Sequence, residues 1–491
     1  MPLAAGRPAR RARTAPAFAV LVLAAALACG GGDGDGDGNR SAPTTAPRSA
    51  PTTAGPPGRS GGLPATGLGD PYFPDLGAPG IDVRHYDVDL DVDADLLASG
   101  TVTLTLRATE DLPRLAIDAR SMDVEEVTLD GEPVAFTLED PELLVTPDRP
   151  VAAGATVDLA VTFTDDPTPV DSEGKLGPGW VVAEDHAFTI NEPEATRDWL
   201  PSLDHPSDKA TWRIAVTPPP GTIAVANGVR VSSPPEGQAG AWVWEMDDPM
   251  ATYLLQVLVG DFVLVEGTAP GGLPLSSAVL RDDAEALAPF LDRVGDQVAF
   301  FEEAFGPYPF AAYGVAVVGQ PLGLALEQQG RSVFGRDAVD LQVAAHELAH
   351  QWFGDAVTAS RWDDIWLAES FATYGQWLWL DHTGERALAT SATQALADRV
   401  ERGGPPTGAP TRDEMFGPTV YEGGAVVVHA LRREVGDEPF FTLLRRWVAE
   451  NAGTSRATED FVALAEEVAG RDLADFFATW LEAEVPPSRF P

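Results

Sequence analysis

At 491 residues the chain is long enough for two to four domains, each with its own core, and its 44% apolar content is that of an ordinary globular protein. The 75 acidic against 33 basic residues leave a net charge of −42, which repels phosphate backbones and argues against nucleic acid as a partner. Acid in this excess keeps a secreted protein soluble or marks adaptation to high salt or heat; charge speaks to solubility and not to fold. Only Lys175 and Lys209 are lysines, and the single cysteine, Cys29, rules out an intrachain disulfide.

Taken in chain order, the first feature is a positive stretch at Arg7, Arg10, Arg11 and Arg13. The apolar run Ala17 to Ala28 follows it. That run is too short for a stable membrane span and suits the core of a signal peptide, expected over residues 1–28. It ends in Ala26-Leu27-Ala28-Cys29, which resembles a bacterial lipoprotein cleavage box. The expectation is export, with Cys29 as a lipid anchor on the outer face of a bacterial membrane. The alternative is an ordinary secretory signal beside an incidental cysteine. Residues 29–69 are Gly, Asp, Ser, Thr, Ala and Pro and read as a disordered linker. Asp33, Asp35 and Asp37 alternate with glycine there, and a solvated tether fits them better than a calcium loop.

From Asp70 the pattern has a period of two. Ile81-Asp82-Val83, Tyr86 to Val92 and Thr101 to Leu106 alternate apolar and polar residues, and similar runs recur to Val265 between Pro and Gly turns. Residues 70–268 are therefore expected to form an antiparallel β domain. From Ala269 the spacing becomes helical, with helices predicted at Asp282–Phe305, Asp337–Phe353, Ile365–Asp381, Ala387–Arg402, Gly424–Val435 and Thr458–Ala469. Residues 269–491 form a second, mostly helical domain in this reading. The whole is an α+β multidomain chain.

The chemistry concentrates in His346-Glu347-Leu348-Ala349-His350. Residues four apart share a helix face, so two imidazoles can bind one metal ion while the glutamate between them reaches its water. Random placement of the 7 histidines and 75 acids would produce this pattern about 0.015 times in such a chain. A zinc site needs a third ligand. Glu369, in Trp366-Leu367-Ala368-Glu369-Ser370-Phe371, lies where a second helix can face the first.

His-Glu-Leu-Ala-His-Gln-Trp-Phe-Gly-Asp followed by Trp-Leu-Ala-Glu-Ser-Phe resembles the M1 (gluzincin) zinc aminopeptidases. Asp204-His205-Pro206-Ser207-Asp208-Lys209-Ala210 and Pro249-Met250-Ala251-Thr252-Tyr253 resemble that family's N-terminal domain. The resemblance implies a saddle-like β domain, a thermolysin-like catalytic domain and the short bacterial form. It implies one Zn2+, held by His346, His350 and Glu369, and Glu347 as general base acting on a metal-activated water. Val420-Tyr421-Glu422-Gly423-Gly424-Ala425 resembles the family's tyrosine motif, making Tyr421 the donor opposite the zinc; a basic residue is common where Gly423 stands. Leu324-Ala325-Leu326-Glu327-Gln328 resembles the family's Gly-x-Met-Glu-Asn stretch, although Leu324 stands in place of its glycine. The stretch assigns Ala325 and Glu327 to substrate binding, with Glu327 on the α-amine. Glu192 matches the second amine-binding residue, contributed by the β domain. The implied substrates are peptides with a free N-terminus.

Two other readings stay open. A zinc endopeptidase on the same site would cleave N-terminally blocked peptides. A non-catalytic extracytoplasmic binding lipoprotein would not need Glu347 or Tyr421. Epoxide hydrolysis, known in one branch of the family, has no positive support in these residues.

Overall fold

The structure is a computed structural model that describes residues 67–139, 141–165, 179–235 and 237–491. The expected signal peptide, Cys29 and all but the last three residues of the expected linker lie outside them.

The period-two segments form a large twisted sheet. Its strands run in the order Val229–Ser232, Trp242–Ala251, Lys209–Thr217, Ile81–Val92, Ala98–Ala108, Thr156–Asp165, Met122–Leu129 and Glu132–Pro133. Val83, Tyr86, Val88 and Leu90 turn inward along the strand Ile81–Val92 while their neighbours face out, as the alternation requires. One pair departs from the antiparallel expectation, because Ile81–Val92 runs parallel to Lys209–Thr217. A parallel pair needs a long crossover, and residues 93–208 provide it, adding four strands to this sheet, all of a three-stranded sheet and two strands of a four-stranded one. The register sets Tyr86 opposite Trp212, and their rings stack at 3.9 Å.

The smaller sheets are a three-stranded one (Leu115–Asp118, Glu142–Thr146, Ala135–Glu139) and a four-stranded one. The latter comprises Ile223–Ala226, Val257–Gly260, His186–Ile190 and Gly179–Val182. Val257–Gly260 is buried throughout and reads as a continuous apolar run, the pattern of a strand covered on both faces.

After Gly260 the chain changes sheets. Phe262–Thr268 and Pro274–Leu280 form a hairpin that opens a mixed sheet with Val315–Val318, Ser332–Gly335 and, at its edge, Ala325–Leu326. The expected division at 268/269 falls between the two strands of this hairpin.

Eight helices follow among the described residues: α1 Ala284–Phe305, α2 Leu341–His350, α3 Trp366–Thr383, α4 Leu388–Arg402, α5 Glu422–Val435, α6 Asp437–Asn451, α7 Thr458–Ala469 and α8 Ala474–Trp480. The periodicity did not single out α6, which a lone glycine, Gly436, separates from α5, or α8, which has only 7 residues. Asp340 caps α2, accepting from the Gln342 N–H at 2.7 Å. The first ten residues of α3 are all buried, so this helix is the core of the second half, packed between α2 and α5. No helix among the described residues is long and apolar enough to cross a membrane.

A polar seam joins the two halves. Gln256 donates to Gln328 at 2.6 Å and to the Arg331 carbonyl at 2.8 Å. Asn227 donates to the Gln329 carbonyl at 2.9 Å. The Arg331 guanidinium donates to the Ala226 carbonyl at 2.6 Å and lies over the Trp244 ring. Residues 328–331 are thus tied directly to the β domain.

Candidate active site

Helical spacing puts His346 and His350 one turn apart on α2, and α3 brings Glu369 against them. His346 Nε2 lies 3.2 Å from Glu369 Oε2, His350 Nε2 lies 3.3 Å from the same oxygen, and the two Nε2 atoms are 3.1 Å apart. All three residues are at most 6% exposed. His350 Nδ1 lies 3.1 Å from the Phe353 carbonyl, which leaves Nε2 directed at the cluster. A tetrahedral ion with bonds of about 2.0–2.1 Å sets its ligand atoms about 3.3 Å apart, so the spacing and donor set fit zinc.

The charges of this group offset one another. Burial would raise the Glu369 carboxyl, but His350 and His346 outweigh it and hold it down at about 2. Burial would lower His350, yet Glu327 and Glu369 drive it well above the usual imidazole range. Burial wins at His346, which is lowered.

Glu347, on α2 between the histidines, is 4% exposed; burial raises its carboxyl well above the ordinary range. Glu327 follows directly on the edge strand Ala325–Leu326 and is also 4% exposed. Glu327, Glu347 and His350 each offer a ligand atom within 4.8 Å of the others, so Glu327 reaches the mouth of the histidine cluster. Ala325 is half-buried and pairs with Phe334 in the edge strand. Glu192 comes from the β domain, just after the strand His186–Ile190, and its Oε1 is buried without a hydrogen-bond partner among the described residues. Burial first, then Glu327 and Glu369, raise its carboxyl well above the usual range, which places it within electrostatic reach of both.

Tyr421 precedes α5, its ring stacked on His346 at 5.7 Å and 8° and its hydroxyl within hydrogen-bond reach of Glu369. Burial and that carboxylate raise the phenol well above its ordinary value, so it stays protonated. The approach depends on Gly424: a Cβ there would sit 1.7 Å from Ser370 Oγ, and Ser370 donates to the Val420 carbonyl at 3.0 Å. The residue beside Glu369 therefore docks the tyrosine motif. A Cβ at Gly423 would lie 3.2 Å from Cδ of Arg399, so a cation from α4 lies against the place where the sequence lacks one.

His346, Glu347, His350, Glu369, Glu327, Glu192 and Tyr421 are brought together here, while several supports had been given no role. Gln351 donates to the Glu327 carbonyl at 2.7 Å and accepts from the Gly330 N–H at 2.8 Å and from Tyr308 at 3.1 Å, locking the Glu327 loop onto α2. Gln328 donates to the Thr189 carbonyl at 3.0 Å, tying that loop to the strand leading to Glu192. The signal for both was adjacency to a ligand or binding residue. Asp355 is fully buried, with neither carboxyl oxygen hydrogen-bonded among the described residues, and burial raises its carboxyl well above the usual range.

Two family models match the chain, the Peptidase M1 N-terminal domain over residues 83–254 and the Peptidase family M1 domain over residues 316–480. An M1 zinc metallopeptidase from Deinococcus radiodurans, solved in a mutant form with a Tyr-Ser-Ala substrate, is 31% identical with a TM-score of 0.76. The match covers 86% of this chain and 99% of that one. A two-domain M1 zinc metallopeptidase bound to L-tryptophan matches at 31% identity and a TM-score of 0.78, over 87% of this chain and all of that one. Among curated proteins, aminopeptidase M1-C of Oryza sativa subsp. japonica is 30% identical over 61% of this chain and 37% of its own length. Aminopeptidase N of Lactococcus lactis subsp. lactis is 26% identical over 81% of this chain and 50% of its own. The chain thus spans about a third to a half of the length of the curated relatives it matches.

Proposed function

The chain belongs to the M1 peptidase family, and from that premise we propose that it is a zinc aminopeptidase, removing the N-terminal residue from peptides. The observation that carries this reading is the pair Glu327 and Glu192 beside the metal cluster. Apart from His350, the charged groups that shift Glu192 are carboxylates, so this corner of the site favours a cation. The cation a peptide can bring there is its free α-amine.

His346, His350 and Glu369 would hold the zinc, which when bound supplies Lewis acidity and brings the pKa of a water near neutrality. Glu347 takes a proton from the attacking water and hands it to the leaving amine. The Tyr421 hydroxyl donates to the carbonyl oxygen as negative charge develops there. Glu327 and Glu192 hold the substrate ammonium, so that only the first peptide bond reaches the reacting groups. Among the described residues the strand Ala325–Leu326 ends its sheet, and its outer side offers backbone groups to an extended peptide.

The test is hydrolysis of aminoacyl chromogenic amides beside their N-acetylated forms, with and without a chelator. Release from the free amines alone, abolished by the chelator, is expected. Cleavage of the blocked forms would move the protein to the endopeptidases, and no cleavage of either form with zinc bound would favour a binding module.

Export and lipid anchoring at Cys29 form part of the same proposal, supported by the arginines, the apolar run and the lone cysteine. Cys29→Ala is expected to move the expressed protein from the membrane fraction to the soluble one, and an unchanged distribution would count against the anchor.

A further inference from the structure

The turn that follows α2, residues 353–356, touches both the metal ligands and the β domain. On its inner side the Asp355 N–H donates to the His350 carbonyl at 3.0 Å, the Ala356 N–H donates to the Gln351 carbonyl at 3.1 Å, and the Phe353 carbonyl meets His350 Nδ1 at 3.1 Å. Gly354 has φ +126°, and a Cβ there would lie 3.2 Å from His350 Nδ1 and 3.3 Å from the Cβ of Ala368, the neighbour of Glu369. The turn therefore abuts the ligand His350 directly and, through Ala368, the helix that carries Glu369.

Its outer side faces the β domain, where its successive carbonyls are met one by one. The Tyr253 hydroxyl donates to Gly354 at 3.3 Å. Lys209 Nζ donates to Asp355 at 2.5 Å and to Ala356 at 3.3 Å. The Lys209 backbone is itself fixed, opposite Ala251 at the start of its strand.

The identity of this residue is informative. All but two of the 33 basic residues in the chain are arginine, and Lys209 is the one lysine among the described residues. A compact ammonium on a flexible stem can bridge two consecutive carbonyls from one point, which a planar guanidinium fork does poorly. A chain that uses arginine almost everywhere else has a lysine where that geometry is needed.

We propose that Lys209 is a positioning residue for the metal ligand His350, acting through the turn 353–356, so that the β domain helps to set the metal site as well as the amine site. Groups that orient a ligand from behind typically change metal retention by about 10- to 100-fold when removed. The inference rests on the zinc reading above but not on peptide hydrolysis, and its test does not use turnover.

The full-length protein is loaded with zinc, and loss of the metal to a chromogenic chelator is timed for wild type, Lys209→Met, Lys209→Arg and Tyr253→Phe. Spectra of the cobalt-substituted proteins and thermal midpoints are recorded alongside. Ser455→Ala serves as control, because it removes a different contact between the halves, the 2.8 Å bond to the Pro206 carbonyl. Lys209→Met is expected to release zinc at least about tenfold faster with an altered cobalt spectrum, Lys209→Arg to fall between it and wild type, and the control to match wild type. Should Lys209→Met not fold, Lys209→Arg and Tyr253→Phe carry the same comparison. A lowered thermal midpoint with unchanged zinc release and cobalt spectrum would make Lys209 a structural residue only and overturn the proposal. A wild-type protein that holds no zinc would overturn the zinc reading itself, and this inference with it.

Discussion

The metal corner and the amine corner of the site are built from opposite electrostatic designs. At the metal corner, His350 and Glu369 offset one another, and the carboxyl is held at about 2. At the amine corner, Glu327 and Glu192 are both raised, and Glu327 is among the groups that raise Glu192. The first arrangement is compensated within the chain, while the second is a like-charge pair that a bound ammonium would relieve. The contrast teaches that burial alone does not mark the roles. Glu369 and Glu327 are 2% and 4% exposed and differ in the charges that face them.

The largest expected effect would separate chemistry from binding at the metal corner. Glu347→Gln should lower kcat by roughly 10²- to 10⁴-fold while zinc content, measured by metal analysis, stays at that of wild type. A variant that retained turnover would show that the proton passes through another group. Tyr421→Phe should come next, with kcat down roughly 10²- to 10³-fold and KM little changed, as expected for a donor used in the transition state. A rise in KM alone would reassign the phenol to ground-state binding.

The amine corner should respond differently. Replacing Glu327 or Glu192 with glutamine removes one charged hydrogen bond, worth about 1.5–3 kcal/mol. kcat/KM for free-amine substrates should fall roughly 10- to 150-fold, and the preference over N-acetylated substrates should narrow with it. Equal losses on both substrate types would show that these acids do not read the amine.

The same contrast explains what could be read from the sequence. His346, Glu347 and His350 lie within five residues of one helix, so helical period alone sets their geometry, and Glu369 needs only one further helix. Tyr421, Glu327 and Glu192 came from motif resemblance, because their approach depends on contacts between distant segments, such as Gly424 against Ser370 or Gln328 against Thr189. Lys209, Gln351 and Asp355 stand inside the quoted motifs, but the sequence assigned them no role. Their roles arise only when the turn after α2 meets the β domain. The parallel strand pair was hidden for a similar reason, since strand alternation fixes which face is buried but not which neighbour the strand takes.

A smaller effect tests the turn that couples the two corners. Gly354→Ala places a side chain at φ +126° and within 3.2 Å of His350 Nδ1. The strain should cost about 1–3 kcal/mol in chemical unfolding of the zinc-loaded protein. An unchanged unfolding midpoint would mean that the turn relaxes freely and does not press on His350.

The smallest effect asks whether a raised, like-charged carboxyl pair by itself marks a binding site. Asp118 and Glu142 stand opposite each other in the three-stranded sheet, both buried. Burial, then Asp204, raises Asp118 to about 7; burial, then Asp118, raises Glu142 to about 8, although Arg197 opposes the rise at both. Both folded values lie above the ordinary carboxyl range, so the folded state holds protons that the unfolded chain has released. That contribution to stability is fully present below the unfolded pKa, near pH 4, and is lost as the pH rises through 7 and 8. The denaturant midpoint should therefore fall between pH 5 and pH 8.5. Glu142→Gln should flatten the fall and leave the variant more stable than wild type at the alkaline end, by on the order of 1 kcal/mol. Its kcat/KM should not change, because the charged groups that act on this pair are Arg197, Asp204 and Asp75 and none belongs to the metal or amine corner. A steeper pH slope in Glu142→Gln would reverse the sign argued here, and a loss of turnover would extend the functional reading from the amine corner to this second acid pair.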